Sequence, residues 1–512
     1  MISFLISVVA LVMGFFIYGN LIERIFAPDD RPTPSTRLAD GVDYVPMPTW
    51  KVFMIQFLNI AGTGPIFGAI MGMWFGPVAL LWIVLGCIFA GATHDYLSGM
   101  LSMRHDGASL PLLVGKYLGK GSRNVMMVFT VFFMLLVGAV FVYSPAIILA
   151  GFGGNLVIWI TVIFIYYIIA TLLPIDKIIG KIYPIFAVSL LFMAFALMIV
   201  LLLKMPHLPE LWHLGDMDEW RGSLQVGGQD ALGIVAYLKK NPVFPCLFIT
   251  IACGAISGFH ATQSPMMARC MKSERLGRKV FYGSMITEGL VALIWATISS
   301  WFIYAGGWRE VISEQQAAAF LGQVAGPGGK TLIQYFSAPD VVKLVCSGWL
   351  GITGGALAVL GVVAAPITTG DTAFRSVRLI IAEALHIDQH NVARRLAICI
   401  PTFLGAFGLL MWQIKNPDGF NVLWQYFGWS NQVLSVFTLW MLTVYLARAG
   451  KPYVITLVPA LFMTAVCCVF IVVSPQALAM SQWLAAPSAA VVVLAALAVF
   501  LGWRRKAEKV TK

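Results

Sequence analysis

Apolar segments recur along nearly the whole chain, separated by short charged or Pro/Gly-rich breaks. A helix of about 20 apolar residues crosses a bilayer core of about 30 Å. Only helices and closed barrels span a membrane, because lipid offers no hydrogen-bond partners to backbone N–H and C=O groups. Reading the runs between breaks therefore predicts an all-α polytopic membrane protein with about 13 transmembrane helices. The predicted spans are 2–22, 51–75, 77–101, 124–149, 155–174, 183–203, 242–260, 280–305, 341–369, 396–414, 420–446, 453–474 and 480–503.

Composition excludes most other classes of protein. Of the 512 residues, 59% are hydrophobic and only 11% are charged, whereas a soluble domain carries about 25% charged residues. An ordinary soluble enzyme, a disordered chain and a nucleic-acid binder are therefore excluded. The lipid bilayer is the predicted partner, while the oligomeric state stays open.

The net charge of +11 is explained by the loops. When Lys51 and Lys343, at the ends of their spans, are counted with the adjoining connections, 26 of the 34 Lys and Arg residues lie in the odd-numbered connections and the C-terminal tail, and 8 lie in the even-numbered connections. Basic residues concentrate on the cytoplasmic side of membrane proteins. This asymmetry predicts an N-terminus outside, a C-terminus in the cytoplasm, and the long loops 205–241 and 306–340 outside.

Glycine and proline interrupt the second and seventh spans, at 60–65 and 253–265. Such interruptions unwind a helix, and unwound backbone at membrane depth typically lines a binding site in transporters built from inverted repeats. The breaks lie five spans apart. Because each span crosses the membrane once, a unit of five spans ends on the face opposite to the one where it began. A second five-span unit therefore enters the membrane from the opposite face. We therefore predict a 5+5 inverted repeat with a discontinuous first helix in each repeat. The predicted units are a peripheral helix and loop (1–50), the first repeat (51–204), the second repeat (242–447), and two peripheral helices with a basic tail (448–512).

The two breaks supply the predicted substrate site. Each break is expected to leave a half-helix N-terminus with unpaired N–H groups, which favour a carboxylate ligand. An imidazole in the second break could add a charge-assisted hydrogen bond or relay a proton. The candidate substrate-binding residues are Gly62, Thr63, Gly64, Ser257, Gly258, His260 and Gln263.

Ion coupling has its own candidates. Ionisable residues within apolar spans are expensive and are functional candidates by default; here they are Glu288, His94 and Asp95, the last two interpreted as closing the third span. The ninth span ends with the hydroxyls of Thr368 and Thr369. Together with the carbonyls of Ala61 and Gly62, which the first break releases from helical hydrogen bonds, they would suit a hard cation. Ala365-x-x-Thr368-Thr369 resembles the sodium-site signature of LeuT-type carriers. Each candidate also has a possible structural role. The histidine could serve in packing, the aspartate could cap a helix, and the threonine hydroxyls could donate to carbonyls of their own helix.

Several motifs together identify a family. Phe248–Ala261, which reads FITIACGAISGFHA, resembles the most characteristic segment of the carbon starvation protein A (CstA) family. Further matches are DYVP at 43–46, IAGTGP at 60–65, AGATHD at 90–95, GASL at 107–110 and FGWSNQ at 427–432. The resemblance covers about residues 40–440. It implies a multi-pass carrier of the bacterial inner membrane, with pyruvate–proton symport and peptide uptake both ascribed to members.

The chain also departs from the family pattern. Long members carry a His pair before the first break, where this chain has Ile55-Gln56, and a longer motif after the His of the second break. Neither pyruvate nor peptides, and neither H⁺ nor Na⁺, is selected by the sequence.

The predicted function is cation-coupled uptake of a small carboxylate such as pyruvate or of short peptides. The coupling cation, H⁺ or Na⁺, is the only cofactor expected. No metal site is predicted, and no paired catalytic constellation appears at membrane depth, so an intramembrane enzyme is disfavoured. A channel, or a sensor of the same fold without transport activity, remains the alternative.

Overall fold

The computed structural model describes residues 1–41, 43–151, 153–172, 175–216, 225–226, 229–324, 330–387, 392–416, 419–474 and 477–511. Almost all of them are helical. Within these ranges the β-structure is a two-residue antiparallel ladder that pairs Gln225–Val226 with Gln229–Asp230.

The helices follow the predicted order of apolar segments. The α-helices are Ile2–Phe16, Tyr18–Phe26, Pro34–Arg37, Thr49–Ala61, Ala69–Gly72, Val78–Leu85, Ala92–Arg104, Leu110–Leu118, Lys120–Ala150, Leu156–Leu172, Ile175–Lys204, Ile234–Lys240, Val243–Thr250, His260–Ala268, Gly283–Tyr304, Trp308–Val311, Glu314–Val324, Leu332–Tyr335, Ala338–Leu385, Val392–Lys415, Gly419–Arg448, Val454–Val473 and Gln482–Thr511. Wider π-helical turns occupy Gly64–Gly68, Gly86–Gly91 and Arg278–Tyr282, and 3₁₀ turns occupy Met73–Phe75, Leu211–Asp216 and Glu274–Leu276.

By length and composition, the described structure accounts for 10 or 11 of the 13 predicted membrane crossings. In the described residues, 10 helices are long and apolar enough to cross a membrane, and a bent pair, Thr49–Ala61 with Gly64–Phe75, makes up to 11. The two other predicted spans are the shorter apolar helix Leu156–Thr171 and the interrupted pair Val243–Thr250 and His260–Ala268. The chain is a multi-pass membrane protein.

Burial separates central from peripheral spans. The most apolar parts of Glu274–Tyr304 and Gly354–Leu385 are 89% and 88% buried, whereas that of Trp483–Ala507 is 17% buried. The first span, Ile2–Phe26, is also mostly exposed. The predicted peripheral helices at both ends of the chain therefore have lipid-facing surfaces, as do two spans within the predicted repeats, Tyr183–Lys204 and Ala393–Lys415, whose most apolar parts are 33% and 39% buried.

Two predicted boundaries are wrong. The ninth span does not end at residue 369, because its helix runs from Ala338 to Leu385 with an internal break at Gly351. Arg375 and Arg378, interpreted as loop residues, are buried in that helix, although the charge asymmetry keeps its sign without them. Similarly, Asp95 does not close the third span, because that helix continues to Arg104.

The orientation of the chain can be tested with reporters. The charge asymmetry places the C-terminus in the cytoplasm, so a reporter active only there should be active when it is fused after Lys512. The same reporter before Met1 should be inactive. The reverse pair of activities would contradict an odd number of spans with this orientation.

Candidate functional site

The first broken helix turns at Gly62. The helix Thr49–Ala61 ends there, and Gly62 adopts φ +49° and ψ −143°, a conformation that disfavours residues with a Cβ. The chain resumes as the π-helical turn Gly64–Gly68, and the two helical halves are bent by 52°. The predicted break is therefore present.

The second broken helix unwinds over a longer stretch. The helix Val243–Thr250 is followed by turns and non-helical chain over 251–259 before the helix His260–Ala268 begins. Gly254 lies within this stretch with φ +90°. This break also lies where the sequence predicts it.

The two breaks cross each other in direct contact. A Cβ built on Gly64 would lie 2.3 Å from the Cβ of Cys253, and one built on Gly68 would lie 2.8 Å from the carbonyl oxygen of Thr250. Such distances are too short for real Cβ atoms, so these glycines are required by the close approach. The glycines of the first broken helix thus lie directly against the second one, at the Cys253 side chain and the Thr250 carbonyl.

A buried charged network surrounds the crossing. Asp95 contacts two imidazoles: its Oδ1 lies 2.8 Å from Nδ1 of His94, and its Oδ2 lies 2.7 Å from Nδ1 of His260. On the other side of the His260 ring, Nε2 lies 3.4 Å from Oε2 of Glu288. All four side chains are fully buried. The residues predicted for ion coupling on the third and eighth spans therefore meet the histidine predicted for substrate binding.

Glu288 also holds the second break in place. Its Oε1 accepts a hydrogen bond from the Gly254 N–H at 3.1 Å, while Oε2 has no hydrogen-bond partner. Backbone N–H groups released by unwinding must find acceptors at membrane depth. The carboxylate supplies one, and this links the helix Gly283–Tyr304 to the unwound segment.

Asn431 is the second support of the break, and the candidate site residues predicted from sequence do not include it. Its Oδ1 accepts hydrogen bonds from the Ser257 hydroxyl at 3.0 Å and from the Phe259 N–H at 2.7 Å. Its main-chain oxygen accepts one from the Gly258 N–H at 3.2 Å. A Cβ on Gly258 would lie 2.4 Å from that oxygen, so Gly258 packs the break against the helix Gly419–Arg448.

Replacing Asn431 with alanine should loosen the second break. Two buried donors, the Ser257 hydroxyl and the Phe259 N–H, would lose their acceptor, at a cost of about 1–3 kcal/mol each. We expect a lower thermal unfolding midpoint in detergent and reduced uptake. Asn416→Ala is the control, because Asn416 is exposed and donates only to the Trp412 carbonyl of its own helix in the described structure. Equal midpoints for the two variants would contradict the supporting role.

The backbone N–H groups at the second break are hydrogen-bonded, whereas the sequence predicts that they are unpaired. The N–H groups of His260, Ala261 and Thr262 donate to the carbonyls of Ser257, Gly258 and Phe259 at 3.3, 3.2 and 2.9 Å. The expectation of unpaired N–H groups at this half-helix is therefore wrong, because tight turns over 257–262 pair them. Carboxylate recognition at this break cannot depend on those three donors.

Thr369 reaches across to the first broken helix. Its hydroxyl lies 3.3 Å from the carbonyl oxygens of both Leu58 and Asn59, and 2.8 Å from that of Ala365 in its own helix. The carbonyls that contact the Thr369 hydroxyl thus belong to residues one turn before Ala61 and Gly62, whose carbonyls the sequence predicted for this role. Thr368 instead donates to Ala365 at 2.8 Å, which is the back-bonding that the sequence left open.

Asp371 is a further buried acid that the predicted site omits. Its Oδ2 accepts a hydrogen bond from the Tyr183 hydroxyl at 2.5 Å, and the same hydroxyl lies 3.3 Å from the Thr368 carbonyl. The Oδ1 atom has no hydrogen-bond partner. A carboxylate therefore lies within one helical turn of the Thr369 hydroxyl.

Unpaired polar atoms occur on both broken helices, close to the breaks. Both amide atoms of Asn59, the hydroxyl of Thr63 and the Oε1 atoms of Gln56 and Gln263 are buried and have no hydrogen-bond partner among the described residues. Buried polar groups in native proteins are nearly always paired, so each unpaired group requires an explanation such as a ligand or a water molecule. Other atoms of this kind lie elsewhere, for example in Thr130 and Trp295, but those at the breaks are placed where a bound substrate could pair them.

A large cavity leads toward the crossing from one side. Its volume is about 750 Å³, and its walls include Phe67, Met71 and Trp74 from the first broken helix and Trp424 from the helix Gly419–Arg448. Thr250, at the end of the first half of the second broken helix, also lines it. Lys240 and Lys330 lie in its walls, in the two long loops predicted to face outward.

An ionic cluster surrounds Glu274, between the loop before the first broken helix and the loop after the second. This carboxylate is 1% exposed and accepts hydrogen bonds from Arg104 at 3.0 and 3.1 Å and from the Asp29 N–H at 3.1 Å. Arg31 lies 3.6 Å away and lowers the pKa of the Asp29 carboxyl below its ordinary value through hydrogen bonds from its side chain and its backbone N–H. The loop before the first broken helix is thereby tied to the loop after the second.

One set of ligand atoms could hold a metal ion. Cys253 Sγ and ligand atoms of His260 and Glu288 all lie within 4.8 Å of one another, and the three residues are buried. The sequence predicts no metal here, since the residues follow no recognised spacing.

Comparison with known families identifies the chain. The family model described as carbon starvation protein CstA matches residues 1–150, 142–327 and 341–470. The chain belongs to the carbon starvation protein CstA family.

Curated relatives in the CstA family span much of the chain. An uncharacterized membrane protein of Haemophilus influenzae is 44% identical over 344 residues, which is 58% of this chain and 90% of that protein. A protein of Campylobacter jejuni named peptide transporter CstA is 27% identical over 550 aligned positions, covering 88% of this chain and 77% of its own length. The corresponding CstA protein of Mycobacterium tuberculosis is 26% identical and covers 86% and 70%.

Solved structures show the fold of this CstA-family chain. A manganese transporter of Eremococcus coleocola superposes with a TM-score of 0.52 at 12% identity, over 91% of this chain and 98% of the transporter. A Na⁺-coupled sialic acid symporter, solved in an outward-open state, gives 0.51 at 13% identity over 96% of both chains. The predicted LeuT-like architecture with two five-helix repeats is confirmed.

The CstA-family motifs also mark the supporting residues. Asn431 lies in the FGWSNQ match at 427–432, and Asp95 ends the AGATHD match at 90–95. The family resemblance was therefore the one available signal for Asn431, whose polar side chain in an otherwise ordinary helix carries no other indication. Gln56 stands where long members of the family carry a His pair, whereas Asn59 had no signal except its polarity close to the first break.

Proposed function

We propose that this CstA-family protein is a secondary active transporter that takes up a small carboxylate nutrient, such as pyruvate or a short peptide, coupled to the entry of a cation. The observation that carries the proposal is the crossing of the two broken helices beside buried, unpaired amide groups. Such a site at the interface of inverted repeats can be exposed to each side in turn. The names of the CstA relatives and the transporter fold support this reading.

The polar groups at the crossing suit a substrate with both donors and acceptors. Asn59 offers an unpaired amide N–H₂ for a carboxylate or carbonyl oxygen, while Gln56 and Gln263 offer unpaired oxygens. Free acceptor oxygens require donors, which the amine and amide groups of a peptide have and pyruvate lacks. Peptides are therefore the first substrate to test and pyruvate the second.

The coupling cation is proposed to lie beside Thr369. Its hydroxyl and the carbonyls of Leu58 and Asn59 form a set of oxygen atoms contributed by both repeats, as a hard cation such as Na⁺ prefers. A cation there would link the first broken helix to the helix Ala338–Leu385. His94, Asp95 and Glu288 are the proposed residues if the cation is instead a proton.

Uptake into proteoliposomes tests the proposal. Labelled dipeptide and labelled pyruvate would be offered under separate Na⁺ and pH gradients, each with and without an ionophore that collapses the gradient. We expect saturable uptake of at least one substrate that disappears with one of the gradients. Uptake that does not saturate and is accompanied by unitary conductance would indicate a channel instead.

The variant Thr369→Ala tests cation binding independently of substrate binding. We expect the Na⁺ concentration for half-maximal uptake to rise about 10-fold or more, because losing an oxygen contact to a charged partner costs about 1.5–3 kcal/mol. Thr402→Ala is the control: its hydroxyl also donates to carbonyls of its own helix, but the described structure shows no cross-helix carbonyl contact for it. Equal Na⁺ dependence in both variants would contradict the cation site.

A further inference from the structure

We propose that Cys253, His260 and Glu288 form a binding site for a thiophilic divalent metal ion of the Zn²⁺ class. A sulfur, an imidazole nitrogen and a carboxylate oxygen from these residues lie within 4.8 Å of one another. Three atoms bound to one tetrahedral ion at about 2.0–2.3 Å are separated by less than that. Small side-chain rotations are therefore enough to close the set around an ion.

The histidine is held in the orientation that a metal ligand needs. Its Nδ1 lies 2.7 Å from Asp95 Oδ2, so Nδ1–H donates a hydrogen bond to the carboxylate. The lone pair of Nε2, on the other side of the ring, is then available to bind a metal ion. Nε2 faces Glu288 and has no hydrogen-bond partner. Metal-binding histidines are characteristically oriented by a carboxylate in this way. Asp95 is thus a positioning residue for the site.

The unpaired atoms point to a ligand between them. His260 Nε2 and Glu288 Oε2 are fully buried and lie 3.4 Å apart, within ion-pair distance, and neither has a hydrogen-bond partner in the described part of the chain. Two buried polar atoms left in this state are costly. A cation between them would satisfy both at once, whereas a direct hydrogen bond does not form with the present geometry.

The donor set selects the class of ion. Thiolate and imidazole ligands favour Zn²⁺ and similar ions over Mg²⁺ or Ca²⁺, which prefer oxygen. The thiolate of Cys253 and the carboxylate of Glu288 together balance the two positive charges of the ion, which matters at a fully buried position. Three protein ligands leave a fourth position open, next to the Ser257 hydroxyl that lies 3.7 Å from the sulfur.

A bound ion would connect the second break to its neighbouring helix. Cys253 and His260 flank the unwound stretch, and Glu288 belongs to Gly283–Tyr304. Binding would therefore hold the break in one conformation. The inference goes beyond the proposed transport function and does not depend on it, because the primary measurement is metal binding.

Cobalt titration of the purified full-length protein tests the site. With Co²⁺ we expect one ion per chain, a thiolate-to-cobalt charge-transfer band in the near ultraviolet, intense visible bands of a tetrahedral ion, and displacement of all of these by Zn²⁺. Cys253→Ala should lose the charge-transfer band. Cys346→Ala, which removes a different buried free thiol, should keep it.

Two further variants keep the test decisive. Glu288→Gln should weaken Co²⁺ binding even if Cys253→Ala fails to fold, and Asp95→Asn should weaken it by about 10–100-fold, as loss of an orienting partner typically does. A wild-type protein that gives no thiolate band with Co²⁺, or a band that survives in Cys253→Ala, would overturn the proposal. A wild-type protein that binds no metal but transports substrate would refute this inference and leave the transport proposal standing.

Discussion

Replacing Gly64 with valine should reduce uptake to the level of empty liposomes. A Cβ at this position would lie 2.3 Å from the Cβ and 2.4 Å from the sulfur of Cys253. Because Cys253 belongs to the unwound segment of the second repeat, the clash would separate the two breaks. Overpacking of this kind costs about 1–3 kcal/mol, and any displacement falls on the atoms of the proposed substrate site.

The matched control is Gly408→Val. Gly408 is also within a membrane helix, but a Cβ there would meet nothing within 4 Å. Uptake of a labelled dipeptide, membrane content and thermal unfolding in detergent would be measured for both variants. We expect Gly408→Val to behave like the wild type and Gly64→Val to be inserted but inactive. Normal uptake by Gly64→Val would show that the contact between the breaks is dispensable.

Changing Asp95 to asparagine should destabilise the protein as well as inactivate it. The carboxylate is fully buried and contacts His94 and His260, and losing a hydrogen bond to a charged group costs about 1.5–3 kcal/mol. Asparagine keeps the size of the side chain but loses the charge and one acceptor. We expect a clearly lower unfolding midpoint and no measurable uptake.

Asp106→Asn is the corresponding control for Asp95. Asp106 is about half exposed and pairs with Arg37 at the surface, and exposed pairs contribute little to stability. Its unfolding midpoint and uptake should match those of the wild type. If Asp95→Asn also matched the wild type, the buried network would be neither structural nor functional.

The fold could be predicted in outline because its determinants are local in the sequence. Span lengths follow from the apolar runs, and both breaks follow from glycine and proline, at Gly62-Thr63-Gly64 and around Gly254. The ends of spans were less predictable, since Arg375 and Arg378 look like loop residues although the surrounding helices bury them. The sequence alone does not show which charges a neighbouring helix will cover.

The site could be predicted only in part because its contacts are distant in the sequence. His260, Glu288, His94 and Asp95 were each identifiable as ionisable residues in apolar spans, but their meeting depends on how three helices pack. The support from Asn431 to Ser257 joins residues 174 positions apart. The paired N–H groups at 260–262 depend on the tightness of the turns over 257–262, which the glycine content alone does not determine.

The ionic cluster at Glu274 makes any separation of the two loops that it joins dependent on dissolved salt. For the loops to part, Glu274 must leave Arg104 and Arg31, and water must enter between them. The Glu274 carboxylate is 1% exposed and Arg104 is 15% exposed, so their pair is largely shielded from solution, whereas separated charges are screened over about 8 Å at physiological ionic strength. Salt therefore stabilises the separated charges more than the paired ones. A rise in ionic strength should shift the balance toward parting of the loops, while the van der Waals contact of Gly64 with Cys253 stays insensitive to it.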